Sequence, residues 1–137
     1  EGIVKHNGPI LEEIPYHIEN YNFSHNLDLI KQPHLESQVA AISDEIAYNN
    51  HDVEDAIRAG LITNNQLNEV VFFKDIINEI KDKYKQINDN ILTYQILRKS
   101  ISKMIMDIYV HTRKVINRLE LKSLEYQHIL FLDIYTL

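Results

Sequence analysis

Asp44, Tyr48 and Asp52 follow one another at intervals of four residues. On a helix such a series climbs one face, drifting by only about 40° per step. Two carboxylates and a phenol then share one surface. A carboxylate suits a hard divalent cation or accepts from a hydroxyl, and a phenol ring offers a flat apolar wall. Ala40, Ala41 and Ala47 lie on or beside that surface, where small side chains let a ligand or another element approach the backbone closely. Four histidines, His6, His17, His25 and His34, also crowd the start of the chain. Their spacings place no two on the same face of one helix, and no H-x-x-x-H or H-x-x-E-H pattern occurs, so these four alone make no metal site.

Holding the Asp44 face requires a helix, and the same stretch supplies one. Leu35, Val39, Ile42, Ile46, Val53 and Ile57 recur at steps of three, four and seven. At about 100° per residue they form one apolar stripe, on the side away from Asp44, Tyr48 and Asp52. The spacing predicts a helix over 34–59, stopped by Gly60.

The run LESQVAAISDEIAYNNHDVEDAIRAGLIT, residues 35–63, and the opening EGIVKHNGPI closely resemble bacterial deoxyguanosinetriphosphate triphosphohydrolase-like proteins of the HD-domain superfamily. The likeness covers most of residues 1–70 and thins beyond about residue 85 to a general helical similarity. It implies a metal-dependent hydrolase that splits a deoxynucleoside triphosphate into deoxynucleoside and tripolyphosphate, by attack of metal-activated water on the α-phosphorus. Asp44 opens the D-x-x-x-Y-x-x-x-D run of that family. By this match Asp44 is the last ligand of a divalent ion, Mg²⁺ or Mn²⁺, Tyr48 packs on the deoxyribose, and Asp52 accepts from the sugar 3′-hydroxyl. The KHNGP run brings Lys5 and His6 to the substrate phosphates, a plain turn of the chain being the other reading. Arg98, in an ILRKSI stretch loosely similar to the family's, is the candidate cation for the triphosphate.

The departures carry equal weight. The upstream His and His-Asp pair that complete the family's metal site are absent, so no catalytic set is complete. His51-Asp52 is literally an HD dipeptide, yet the resemblance places it at a substrate contact, and His51 reads as an exposed or hydrogen-bonded helix residue. The expectation is a piece of a longer hydrolase, shortened at both ends, inactive alone and binding no metal by itself. A non-catalytic helical interaction or oligomerisation module is the alternative from a different class.

Composition narrows the classes further. The chain has 137 residues, is 45% hydrophobic and carries three Gly and three Pro, which favours long helices in one modest helical domain. A net charge of −6 argues against generic nucleic-acid backbone binding. The absence of cysteine excludes a disulfide framework and a thiolate site, and no apolar run is long enough for a membrane. A cytoplasmic protein, with a homo-oligomer among its partners, is the resulting expectation.

The fold expected is therefore all-α, an HD-domain-like helical bundle fragment. Residues 1–33 are read as loop-rich, 34–119 as the helical core with helices at 34–59, 66–85 and 90–119, and 120–137 as a short C-terminal tail. Thr63 or Asn64 is expected to cap the second helix, and Asn88-Asp89-Asn90 to break the chain before the third. Arg98, Lys99, Lys103, Arg113, Lys114 and Arg118 give the third a basic bias, part of it an ordinary solvated face. An exposed Asp44 face and an exposed apolar patch are expected with it.

Overall fold

The computed structural model describes residues 2–119, and every described element is helical. In chain order these are α1 (Tyr16–His25), α2 (Leu35–Arg58), α3 (Asn64–Leu67), α4 (Val71–Lys83) and α5 (Asp89–Leu119). The all-α expectation holds. The tail expected from residue 120 onward lies outside the described residues. The chain divides into two compact units, one of residues 2–44 with the described end of α5 from Tyr109, the other of Glu45–Ile108.

In the Glu45–Ile108 unit the interior is aliphatic. Leu67 from α3, Ile76, Ile77 and Ile80 from α4, and Leu92 and Ile96 from α5 form one buried cluster. Val53 and Ile57 of α2 and Phe72 and Phe73 of α4 pack on it. Each buried isoleucine of this set contributes roughly 2 kcal/mol of transfer free energy. The 76/77/80 spacing is that of one helix face, which is why α4 forms where its apolar period runs.

Helix ends follow the local chemistry. Gly60 takes a left-handed φ of 71°, and its N–H and that of Leu61 bond back to the carbonyls of Ile57 and Ala56. A glycine adopts that conformation without a Cβ penalty, and α2 stops there. Thr63 caps α3 in a reciprocal box with Gln66. The helix expected over 66–85 is in fact two. Residues 68–70 interrupt it, with Val70 extended (φ −84°, ψ 123°) at the N-cap of α4. Asn88 Oδ1 accepts from the Asn90 amide at 2.8 Å at the start of α5.

In the other unit, Leu27, Leu29 and Val115 are buried together with Lys5, Ser37 and Gln38. Gln38 Nε2 donates to the Pro33 carbonyl at 2.7 Å. Here the sequence reading departs from the structure twice. α1 lies inside the stretch read as loops, because its apolar residues line no one face and no residue of it is buried. Val39, expected on the apolar stripe, is 61% exposed. The first turns of α2 belong to this unit and bury Ser37 and Gln38, whereas Ile46, Val53 and Ile57 face the interior of the other.

Candidate functional site

α2 is continuous from Leu35 to Arg58, so Asp44, Tyr48 and Asp52 do rise on one face of one helix. All three are exposed, Tyr48 to 68%. A large aromatic left in water in mid-helix offers an unoccupied apolar wall. Ala40 and Ala47 are exposed beside them.

The back of the helix explains how that face is held. Asn50, 5% exposed, donates Nδ2 to the Ile46 carbonyl at 2.7 Å and lies 3.5 Å from Met104 Sδ. Its Oδ1 accepts from the hydroxyl of the fully buried Ser100 on α5. Asn50 is turned about 200° from Tyr48 round the helix. A polar tie on the inner side therefore sets the rotation that presents Tyr48 and Asp52 outward. Residue spacing along one helix did not reveal this pair, although Asn50 sits at a core position of the apolar stripe, four after Ile46.

The remaining sequence candidates are placed elsewhere. Lys5 is completely buried, with Nζ donating to the Asp28 carbonyl at 3.0 Å and reaching that of Leu27 at 3.5 Å. Its ammonium holds the turn in which Asn26 and Asp28 take left-handed φ values of 45° and 49°. His6 is exposed, with Nδ1 2.9 Å from the Ile3 carbonyl, so Nδ1 is the donor of that bond. His51 is exposed, and its Nδ1 stands 4.0 Å from Glu54 Oε2.

Arg98 is exposed on α5 and lines a groove of about 800 Å³ with Glu54, Ile57, Arg58, Tyr94, Leu97 and Ile101. Arg58, which sequence reasoning passed over, pairs with Glu54 at 2.8 Å. Glu54 and Arg58 stand four residues apart on one helix, the spacing of an ordinary surface pair.

A divalent ion needs several donors, and Asp44 offers one exposed carboxylate. No group of three or more His, Asp or Glu side chains converges among the described residues. These residues alone do not fit a metal. No helix among the described residues is long and apolar enough to cross a membrane.

No protein-family model matches the chain, and no solved structure matches it. Curated proteins do. The deoxyguanosinetriphosphate triphosphohydrolase-like protein of Rickettsia felis is 40% identical over 97% of this chain, and that of Rickettsia rickettsii is 40% identical over the same share. The protein of the same name from Rickettsia bellii is 39% identical over 97%. In each case the match covers 36% of the relative, so the chain spans about a third of the length of the curated relatives it matches. Over nearly all of its own length, then, this chain is similar to the deoxyguanosinetriphosphate triphosphohydrolase-like proteins.

Proposed function

We propose that the chain is part of a deoxynucleoside triphosphate triphosphohydrolase, and that the outer face of α2 is its contribution to the substrate site. The observation that carries this reading is the exposed Asp44, Tyr48 and Asp52 series on one continuous helix, within a chain related to proteins of that name. Tyr48 offers its ring to the deoxyribose and Asp52 accepts from the 3′-hydroxyl. Asp44 is one ligand of a divalent ion, Mg²⁺ or Mn²⁺, whose other donors are not among the described residues. When bound, such an ion supplies an activated water and screens the phosphates. His6 is open to solvent and free to meet a phosphate, whereas Lys5 reaches one only if the turn at 26–28 releases it.

The incomplete donor set carries a second part of the proposal: the chain by itself hydrolyses no deoxynucleoside triphosphate. The alternative, a non-catalytic interaction module, is favoured by the exposed Tyr94, Ile101 and Ile105 on one side of α5.

Both readings meet in one experiment on the 137-residue chain. Addition of dGTP should shift the amide NMR signals of α2 around Tyr48 and Asp52, and Asp52→Asn and Tyr48→Ala should each weaken the effect. A 2′,3′-dideoxy analogue should bind less well. Millimolar Mn²⁺ should broaden signals around Asp44, with no tripolyphosphate released. An α2 face unresponsive to dGTP would overturn the substrate assignment, and release of tripolyphosphate would overturn the claim of an inactive piece.

A further inference from the structure

We infer that Asn7 is a site of spontaneous deamidation in the folded chain, a modification in which the Gly8 amide nitrogen attacks the Asn7 carboxamide. It goes beyond the function proposed above and does not depend on it. Asn7-Gly8 is the one Asn-Gly step in the sequence. At every other asparagine the following residue carries a side chain, which crowds the approach of its amide nitrogen to the carboxamide carbon. Glycine has no Cβ to do so.

The structure leaves the step accessible. Asn7 is exposed, and a Cβ built on Gly8 would meet nothing within 4 Å, so the surroundings are open. Gly8 takes a φ of 108°, a conformation that suits only glycine. The segment is anchored on either side of the pair. Lys5 is buried, and the Ile10 amide donates to the Leu29 carbonyl at 2.9 Å. Between these anchors the Gly8 N–H donates to the Lys5 carbonyl at 2.9 Å. That bond holds the attacking nitrogen back, and opening one bond of an exposed turn takes little free energy. Other asparagines are held harder. Asn22 Oδ1 accepts from the Leu27 amide at 2.6 Å, Asn64 Nδ2 donates to the Thr93 hydroxyl at 3.0 Å, and Asn50 is buried. Asn49 and Asn78 lie inside α2 and α4, where the next amide is committed to the helix.

Hydroxide takes the proton of the Gly8 amide, and its nitrogen forms a bond to Asn7 Cγ. The bond from Cγ to the side-chain nitrogen breaks, and ammonia leaves with a proton returned by water. The product is a five-membered succinimide. Water then opens that ring at one carbonyl or the other, to aspartate or isoaspartate at position 7. The balance is one water in and one ammonia out, with no oxidant or metal. Either product sets a carboxylate beside His6. Isoaspartate also lengthens the main chain by a methylene between two fixed points, which breaks the turn closed by Gly8 and Lys5.

The test incubates the whole 137-residue chain, folded and in urea, at mildly alkaline pH. Peptide mapping by mass spectrometry, with methylation by an isoaspartyl methyltransferase, reads the product against an unincubated sample. Position 7 should convert first in the folded chain, roughly fivefold slower than in urea, the factor that one exposed hydrogen bond supplies. Asn7→Gln should abolish the signal, because its longer side chain must close a six-membered ring. A folded chain that stays unmodified while the unfolded chain converts would overturn the proposal. So would isoaspartate that accumulates first at another asparagine. Equal rates in the folded and unfolded chain would overturn the restraint assigned to the Gly8 bond.

Discussion

The Ser100 hydroxyl donates to Asn50 Oδ1 and lies within reach of the Leu97 carbonyl, so the two most buried polar side chains of α2 and α5 in their unit partner each other. Buried polar groups without partners are costly, and this pair leaves neither unmade. Asn50→Ala should destabilise the chain by about 2 kcal/mol, from the lost bonds and the small cavity together. Ser100→Ala should cost less, and the double variant less than the sum, because the two side chains are coupled. Urea unfolding measures all three. A wild-type midpoint for Asn50→Ala would mean that the pair holds nothing.

Asp44→Asn, Tyr48→Ala and Asp52→Asn should leave stability within about 0.5 kcal/mol of wild type, since all three side chains stand in water. Their effect belongs to ligand binding instead. Thermal melts read beside the NMR titration separate the two. A large loss of stability would show these residues to be structural.

The pairing of Glu79 with Lys99 has a pH signature. The hydrogen bond from Lys99, and then its charge, hold the Glu79 carboxyl below its ordinary value of 4.5. A depressed carboxyl adds stability above its unfolded pKa and loses it as pH falls through the lower folded value. The pair is open to water, so the contribution to stability is slight. NMR titration of the side chain should place its midpoint under 4.5, and Lys99→Met should raise it. An unchanged midpoint in Lys99→Met would rule out the lysine as the cause.

Lys5→Met should destabilise the N-terminal unit by roughly 2 kcal/mol. The methionine matches the aliphatic stem but leaves the Leu27 and Asp28 carbonyls without the ammonium. Urea unfolding with a probe in residues 2–44 reads the loss. If Lys5→Met is as stable as wild type, the buried ammonium is no tie of the 26–28 turn.

α2 was legible because its apolar residues keep one period across seven turns and Gly60 ends it. The faces of Asp44, Tyr48 and Asp52 follow from counting by four. α1 was not legible: Pro15 and Asn26 bound it, but Ile18, Tyr21 and Phe23 point in several directions, and periodicity is silent about a helix that buries nothing. The break at 68–70 was missed because its apolar residues, Leu67, Val70 and Phe73, continue the period across a change of backbone conformation. Arg58 and Arg98, forty positions apart, line one groove only after α2 and α5 fold, and no spacing within either helix announces that meeting.

α1 buries no residue, and its Phe23 ring is 93% exposed. Unwinding it uncovers little new apolar surface, so its backbone bonds, the bond from the Leu27 amide to Asn22 Oδ1 and the stack of Tyr21 on His25 are what resist opening. Its amides should exchange with solvent deuterium long before those of α4, whose Ile76, Ile77 and Ile80 must leave the interior first. Among the described residues, a protease that cleaves after aromatic side chains would find its first cut there. Of the described helices, α1 is the one most easily nicked.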